Sequence, residues 1–212
     1  MPKITTIIWD WNGTLLNDTD VSLSVINRLL DQRKLPLLSR ETYLDVFGFP
    51  VKDYYQRIGF DFAREPFEIP ARQYIDLYYS KVSEAGLHKG VHDTLKAFAQ
   101  RGYKQLILSA AEQIKLLEFL INFELDDYFE QVSGLNNHYA SSKTELGIKL
   151  LKETGIDPET AVLIGDTTHD YDVAKAMGCQ CILLANGHQS AQKLRNTGAI
   201  VLENISQLPQ VL

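Results

Sequence analysis

Residues 4–13 read Ile-Thr-Thr-Ile-Ile-Trp-Asp-Trp-Asn-Gly, and this stretch decides the fold. Its first half is a short run of branched and aromatic residues with no polar alternation beyond the two threonines, the pattern of a strand buried on both faces. The run stops at Asp10, and Asn12-Gly13 supplies a turn directly behind it. Asp10 is therefore expected at the carboxyl end of a strand, the edge where open parallel sheets bind their ligands.

Working outward, the same arrangement recurs. A strand over Gln105 to Leu108 runs into Ser109, and a strand over Ala161 to Gly165 runs into Asp166. Further strands are expected near Gln131 to Ser133 and Cys179 to Leu184. Helical periodicity lies between them, through Leu95 and Phe98, after Glu112, from about Thr144 to Glu153, and from Tyr171 to Met177. Strands alternating with helices predict an α/β fold, a Rossmann-like parallel sheet sandwiched by helices.

From Asp18 to Ala85 the chain changes character and reads as an all-helical insertion after the first strand. Asp20 is expected to cap a helix with a stripe of Val21, Val25, Ile26, Leu29 and Leu30. Further helices are expected over Arg40 to Val46, Val51 to Ile58 and Pro70 to Val82, punctuated by Gly48, Pro50, Gly59 and Pro66. The division expected is a core of residues 1–17 and 86–212 with a small helical domain of residues 18–85. The tyrosines Tyr54, Tyr55, Tyr74, Tyr78 and Tyr79 are expected to pack its helices together.

Bulk properties narrow the function. The 212 residues carry a formal net charge of -6 with both signs interspersed, so nothing in the pattern suggests nucleic acid or an anionic membrane as partner. Apolar runs are too short to cross a bilayer, and the first residues enter a strand without a signal-peptide layout, which makes a cytoplasmic location the expectation. Cys179 and Cys181 would point to opposite faces of one strand and are read as structural thiols.

Three strands thus end on polar residues, and a parallel sheet gathers such ends. With Lys143 ahead of one helix and Asp170 just after Asp166, one sheet edge would collect carboxylates, a hydroxyl and an ammonium. In sequence order the motifs are IIWDWNGTL (7–15), LILSA (106–110), Lys143 and LIGDTTHD (163–170). Over essentially the whole chain they resemble the haloacid dehalogenase superfamily of hydrolases, in its phosphoglycolate-phosphatase-like branch with a helical cap.

The resemblance implies a Mg²⁺-dependent phosphatase that forms a phosphoaspartyl intermediate on Asp10 and acts on a small phosphorylated metabolite, as monomer or homodimer. It implies Asp10, Asp166, Asp170 and the main-chain carbonyl of Asn12 as metal ligands. Asp10, Trp11, Ser109, Ala110 and Lys143 are the implied phosphate-binding set. Hard oxygen ligands suit Mg²⁺, and a hydroxyl and an ammonium suit a phosphoryl group that spreads negative charge over its oxygens. The loop FGFPVKDYY (47–55) resembles the cap loop that enters the site, which makes Gly48 and Lys52 candidate substrate contacts.

Asn12 departs from the pattern, because phosphatases of the superfamily carry an acid/base aspartate there. An amide neither protonates a leaving group nor activates water, a contribution of about 10²–10⁴ in rate. Three alternatives therefore stay open: a phosphotransferase, a phosphonatase-like C–P hydrolase, and a catalytically impaired phosphate-binding protein. His169 is read as a surface residue that could replace the missing acid, and His188 as a turn-stabilising residue near the rim.

Overall fold

The computed structural model describes residues 2–135 and 142–212. Strand β1 (Thr6–Trp9) is the centre of a six-stranded sheet. It pairs in parallel with β4 (Lys104–Glu112) on one side and with β6 (Ala161–Gly165) on the other. Outside β4 lies β5 (Gln131–Leu135); outside β6 lie β7 (Gln180–Leu184) and β8 (Ile200–Leu202), all in parallel register. The chain therefore leaves β1 toward β4 and returns on its other flank at β6, which opens a crevice at the carboxyl ends of these three strands.

Every residue of β1 is buried because both faces of the sheet are covered. Ile7 and Trp9 join Ile107, Val162 and Ile164 under α5 (Val91–Gln100) and α6 (Gln113–Asn122), whose Leu95, Phe98, Leu116 and Leu120 complete that layer. Ile8 points the other way, with Leu106, Leu108 and Leu163. That layer is closed by α7 (Lys143–Thr154) and α8 (Thr168–Met177), through Leu150, Leu151, Val173 and Met177. Period-two side chains in a run that is apolar throughout produce this three-layer arrangement. A short α9 (Ala191–Arg195) connects β7 to β8.

The insertion leaves and re-enters the core through a two-stranded antiparallel ladder, β2 (Leu16–Asn17) with β3 (Gly86–Leu87). Between them run α1 (Thr19–Gln32), α2 (Arg40–Val46), α3 (Val51–Arg57) and α4 (Glu68–Lys81). These helices have an apolar cluster of their own, with Ile26, Leu29, Leu30, Tyr43, Tyr54 and Tyr55 at its centre.

Three local expectations need correction. Helix α1 starts at Thr19, not after Asp20; Asp18 takes the N-cap position, but its side chain caps nothing because tertiary partners claim it. Strand β4 continues to Glu112, past Ser109, with a register irregularity after Leu108. Helix α8 starts at Thr168, so Asp170 lies in its first turn, closing a capping box with Thr167. No helix among the described residues is long and apolar enough to span a membrane.

Candidate active site

Asp10 follows β1 directly, and its backbone N–H donates to Ile164 O at 2.9 Å, so the ends of β1 and β6 are stitched together. Asp166 follows β6, and Asp170 lies one helical turn on. Ligand atoms of Asp10, Asp166 and Asp170 all lie within 4.8 Å of one another, and all three residues are buried. Lys143, at the first position of α7, is buried too, and its Nζ donates to Asp10 Oδ1 and, at 2.5 Å, to Asp170 Oδ1.

Each carboxylate is held from behind. Asp170 Oδ2 accepts from Thr167 Oγ1 at 2.6 Å and from Thr167 N at 3.0 Å. Asp166 Oδ1 accepts from Thr14 Oγ1 at 3.0 Å, and Oδ2 from His188 N at 2.6 Å. The turn after β1 is packed against Asp166: Gly13 has φ +75°, and a Cβ there would collide with Asp166 Oδ2 and the His188 ring. Gly13→Ala is thus expected to cost more than about 1 kcal/mol, from left-handed strain and the clash together. Thermal melts check it; an unchanged Tm would refute it.

The electrostatics follow from crowding three acids in low dielectric. Burial, reinforced by Asp170 and Asp166, outweighs the Lys143 ammonium and pushes Asp10 up to about 8. Burial likewise raises Asp166 to about 6, against the pull of His188. Burial opposes ionisation of Asp170 as well, but Lys143 and Thr167 hold it below the usual carboxylate range. Burial would lower Lys143, yet Asp10 and Asp170 keep its ammonium above the ordinary lysine range. Hard oxygen donors at this spacing, two of them reluctant to ionise without a counter-charge, fit a divalent cation.

Ser109, 1% exposed, lines the same cavity; its Oγ accepts from Ala111 N at 3.0 Å, which among the described residues leaves its O–H free to donate. Trp11 and Ala110 also line it. Trp11 packs its ring against Phe119 and Phe123, with centroids 6.3 Å from each. Gly48 and Lys52 do not line it. Gly48 lies beside Arg57, Lys193 and Gln189, and the Lys52 ammonium sits 5.9 Å over the Phe62 ring.

The Asn12 side-chain NH₂ is committed. Its Nδ2 donates to Asp18 Oδ2 at 2.9 Å and to the Tyr78 hydroxyl at 2.6 Å, while that hydroxyl donates to Asp18 Oδ2 at 2.6 Å. Asp18 Oδ1 accepts from Gly13 N at 2.8 Å and pairs with His188 Nε2 at 3.1 Å. Burial would push Asp18 up, but the His188 charge and these donors hold it below the usual range. Burial would lower His188, but Asp18 outweighs it and holds the ring at about 9, with Tyr43 Oη on Nδ1 at 2.8 Å.

Asp18 and Tyr78 are site residues that sequence reading missed. Asp18 looks like an ordinary cap, and Tyr78 like one more packing tyrosine. Their pairing spans 60 positions, so no local pattern carries it. His188, read as a turn residue, is instead 5% exposed within this network; His169 lines the cavity with its ring stacked on Phe49 at 4.6 Å. Tyr78→Phe should cost about 1–3 kcal/mol, because it deprives a buried ionised acceptor of one of its donors. Chemical denaturation of the two proteins checks this, and equal midpoints would exclude it.

Comparison with known proteins agrees with the geometry. A pyrophosphatase PpaX from Halalkalibacterium halodurans is 23% identical over 177 residues, covering 83% of this chain and 81% of that one. Phosphoglycolate phosphatase 1 from Pseudomonas aeruginosa is 22% identical over 98% of this chain and 79% of its own. Among solved structures, a haloacid dehalogenase-like hydrolase from Streptococcus pneumoniae superposes with a TM-score of 0.85 at 20% identity, over 100% of this chain and 99% of that one. Residues 7–184 match the family described as haloacid dehalogenase-like hydrolase, and this chain is an enzyme that belongs to it.

Proposed function

We propose that this hydrolase is a Mg²⁺-dependent phosphatase that cleaves a small phosphorylated metabolite through a phosphoryl group carried on Asp10. The observation that carries the reading is the triad of buried carboxylates sharing one buried ammonium at the sheet edge. Asp10, Asp166 and Asp170 would hold Mg²⁺, with the Asn12 carbonyl assigned by resemblance. The bound ion would supply charge neutralisation between carboxylates and a phosphoryl oxygen.

The chain's own residues account for the rest. An Asp10 carboxylate oxygen attacks phosphorus, and the ester oxygen departs with its bonding electrons; water then attacks the acyl phosphate, returning Asp10 and releasing inorganic phosphate and a proton. Lys143 stays protonated and faces the charge that builds on the phosphoryl oxygens, while the free Ser109 O–H donates to one of them. Thr14, Thr167 and the His188 N–H keep the carboxylates aimed. In this reading helices α1–α4 are a cap over the strand ends, which excludes water and contacts the leaving group.

Asn12 also favours a second reading, phosphoryl transfer to an acceptor other than water, because its amide is committed to Asp18 and Tyr78 and activates no water. A phosphonatase-like reading lacks its amine nucleophile, since Lys143 is the one lysine lining the cavity among the described residues. Acid-quenched reaction with 4-nitrophenyl phosphate and Mg²⁺, followed by peptide mass spectrometry, tests the proposal. A phosphoryl group on the peptide containing Asp10 is expected. Turnover with the label on another residue, or turnover untouched by a chelator, would reject it.

A further inference from the structure

Resting on that phosphatase reading, we propose that the substrate is an aryl phosphate monoester, a small phenolic ester, and not an ester whose leaving group carries a further negative charge or departs as an alkoxide. Two independent observations meet here.

The first is the chemistry of the wall. The cavity that holds Asp10, Ser109 and Lys143 has a volume of about 200 Å³, below the ~300–1,000 Å³ of drug-sized sites. Away from the carboxylates its lining is aromatic and aliphatic: Trp11, Phe119 and Ala111 from the core, and Phe49, Tyr74 and Ile75 from the insertion. Lys143 is the one lysine or arginine lining it among the described residues, and its ammonium is already shared by Asp10 and Asp170. Residues 136–141, which precede Lys143 in the chain, contain no lysine or arginine.

Among the described residues, the other basic groups near the cavity are engaged elsewhere. His188 is paired with Asp18, and the His169 ring is stacked on Phe49 with centroids 4.6 Å apart. Lys193, near the α2–α3 loop, donates to the carbonyls of Asp45 at 3.0 Å and Phe47 at 2.6 Å. A carboxylate or second phosphate on the leaving group would thus be desolvated without a counter-charge from the described residues, at a cost of several kcal/mol. An aromatic ring gains from the same wall by area burial and ring–ring contact.

The second observation is Asn12. With its amide locked between Asp18 and Tyr78, no carboxylic acid stands at that position to protonate the departing oxygen. A phenol ionises near pH ~10, against ~16 for water-like hydroxyls, so a phenolate leaves unassisted where an alkoxide does not. Asp10 forms its bond to phosphorus, the P–O(aryl) bond breaks, and the phenolate takes its proton from bulk water. The wall and the missing acid thus select the same ester.

The test is a kcat/KM series with Mg²⁺ on phenyl phosphate, cyclohexyl phosphate, phosphoglycolate and pyrophosphate, with a phosphotyrosyl peptide alongside. Cyclohexyl phosphate matches the ring in size but leaves as an alkoxide, so it separates shape from leaving-group chemistry. Phenyl phosphate should exceed each other small ester by about 10²-fold or more. Calorimetry with uncleavable analogues gives a second readout: benzylphosphonate should bind more tightly than 3-phosphonopropionate. In Ile75→Arg, a half-exposed wall position, the preference for phenyl phosphate over phosphoglycolate should narrow severalfold.

Phosphoglycolate, pyrophosphate or cyclohexyl phosphate turned over as well as phenyl phosphate would overturn the proposal. So would preference for the peptide over the free ester. If an Asp10-bound phosphoryl group still forms in those cases, the phosphatase reading survives. If no phosphate ester is turned over at all, both fall.

Discussion

Replacing Asp10 by asparagine is expected to reduce turnover by at least ~10⁴-fold, while the metal-free protein becomes harder to melt. The first effect follows from losing the proposed nucleophile. The second follows from the position of the carboxyl, which burial and two neighbouring acids push up to about 8 from an ordinary 3.8. A carboxyl whose folded pKa exceeds its unfolded value binds more protons when folded. Its favourable contribution is complete below the unfolded value and is lost as pH rises through about 8. The substituted amide keeps the shape without that loss, so the Tm difference should widen between pH 5 and pH 8, at about 2–4 °C per kcal/mol for a chain of this size. Melts in chelator across this range, with steady-state rates in Mg²⁺, check both halves. A variant that loses activity but melts lower at pH 8 would show that the Lys143–Asp10 contact outweighs the repulsion.

The opposite sign is expected at Asn12. Asn12→Asp should raise kcat/KM for alkyl phosphates by about 10²–10⁴ and change aryl phosphates little. The new carboxylate would stand where an amide now lies 2.9 Å from Asp18 Oδ2. Two buried carboxylates at that distance cannot both ionise, so the pair retains a proton. Asp18 is kept ionised by His188 and the Gly13 N–H, which assigns the proton to residue 12. A carboxylic acid facing the cavity beside Asp10 is the group an alkoxide leaving group needs. Stability should fall by about 1–3 kcal/mol, because an amide donor is exchanged for a hydroxyl that satisfies only one of its two partners. Cyclohexyl and phenyl phosphate kinetics decide the matter: equal gains on both esters, or no gain on either, would place the limiting step elsewhere.

Much of this molecule was legible along the chain for a definite reason. The four strand runs ending at Trp9, Leu108, Gly165 and Leu184 are dense in branched apolar residues, and each stops at a polar residue or a turn. Strand period and strand end are local properties, so the sheet and the placement of Asp10 and Asp166 at its edge could be read in advance, whereas β4 runs on past Ser109 to Glu112. Helix α2 is found over the residues expected, Arg40–Val46, with Ser39 Oγ capping it by accepting from Thr42 N at 3.1 Å. The start of α1 was misplaced because two aspartates, Asp18 and Asp20, both suit a cap, and only distant partners distinguish them.

The sequence by itself determined a parallel α/β sheet and the residues at the carboxyl ends of its central strands, because hydrophobic period and turn chemistry act over a few residues. Tertiary structure alone decided what those residues can do. It tied the Asn12 amide to Asp18 and Tyr78, drew His188 from its turn into a buried ion pair, and left Lys52 over Phe62 instead of inside the cavity. It also walled the cavity with aromatic rings drawn from both the core and the insertion. Contacts across 60 to 170 residues depend on how the helices dock over the strand ends. Burial, charge and hydrogen-bond partners are fixed only once that docking is made.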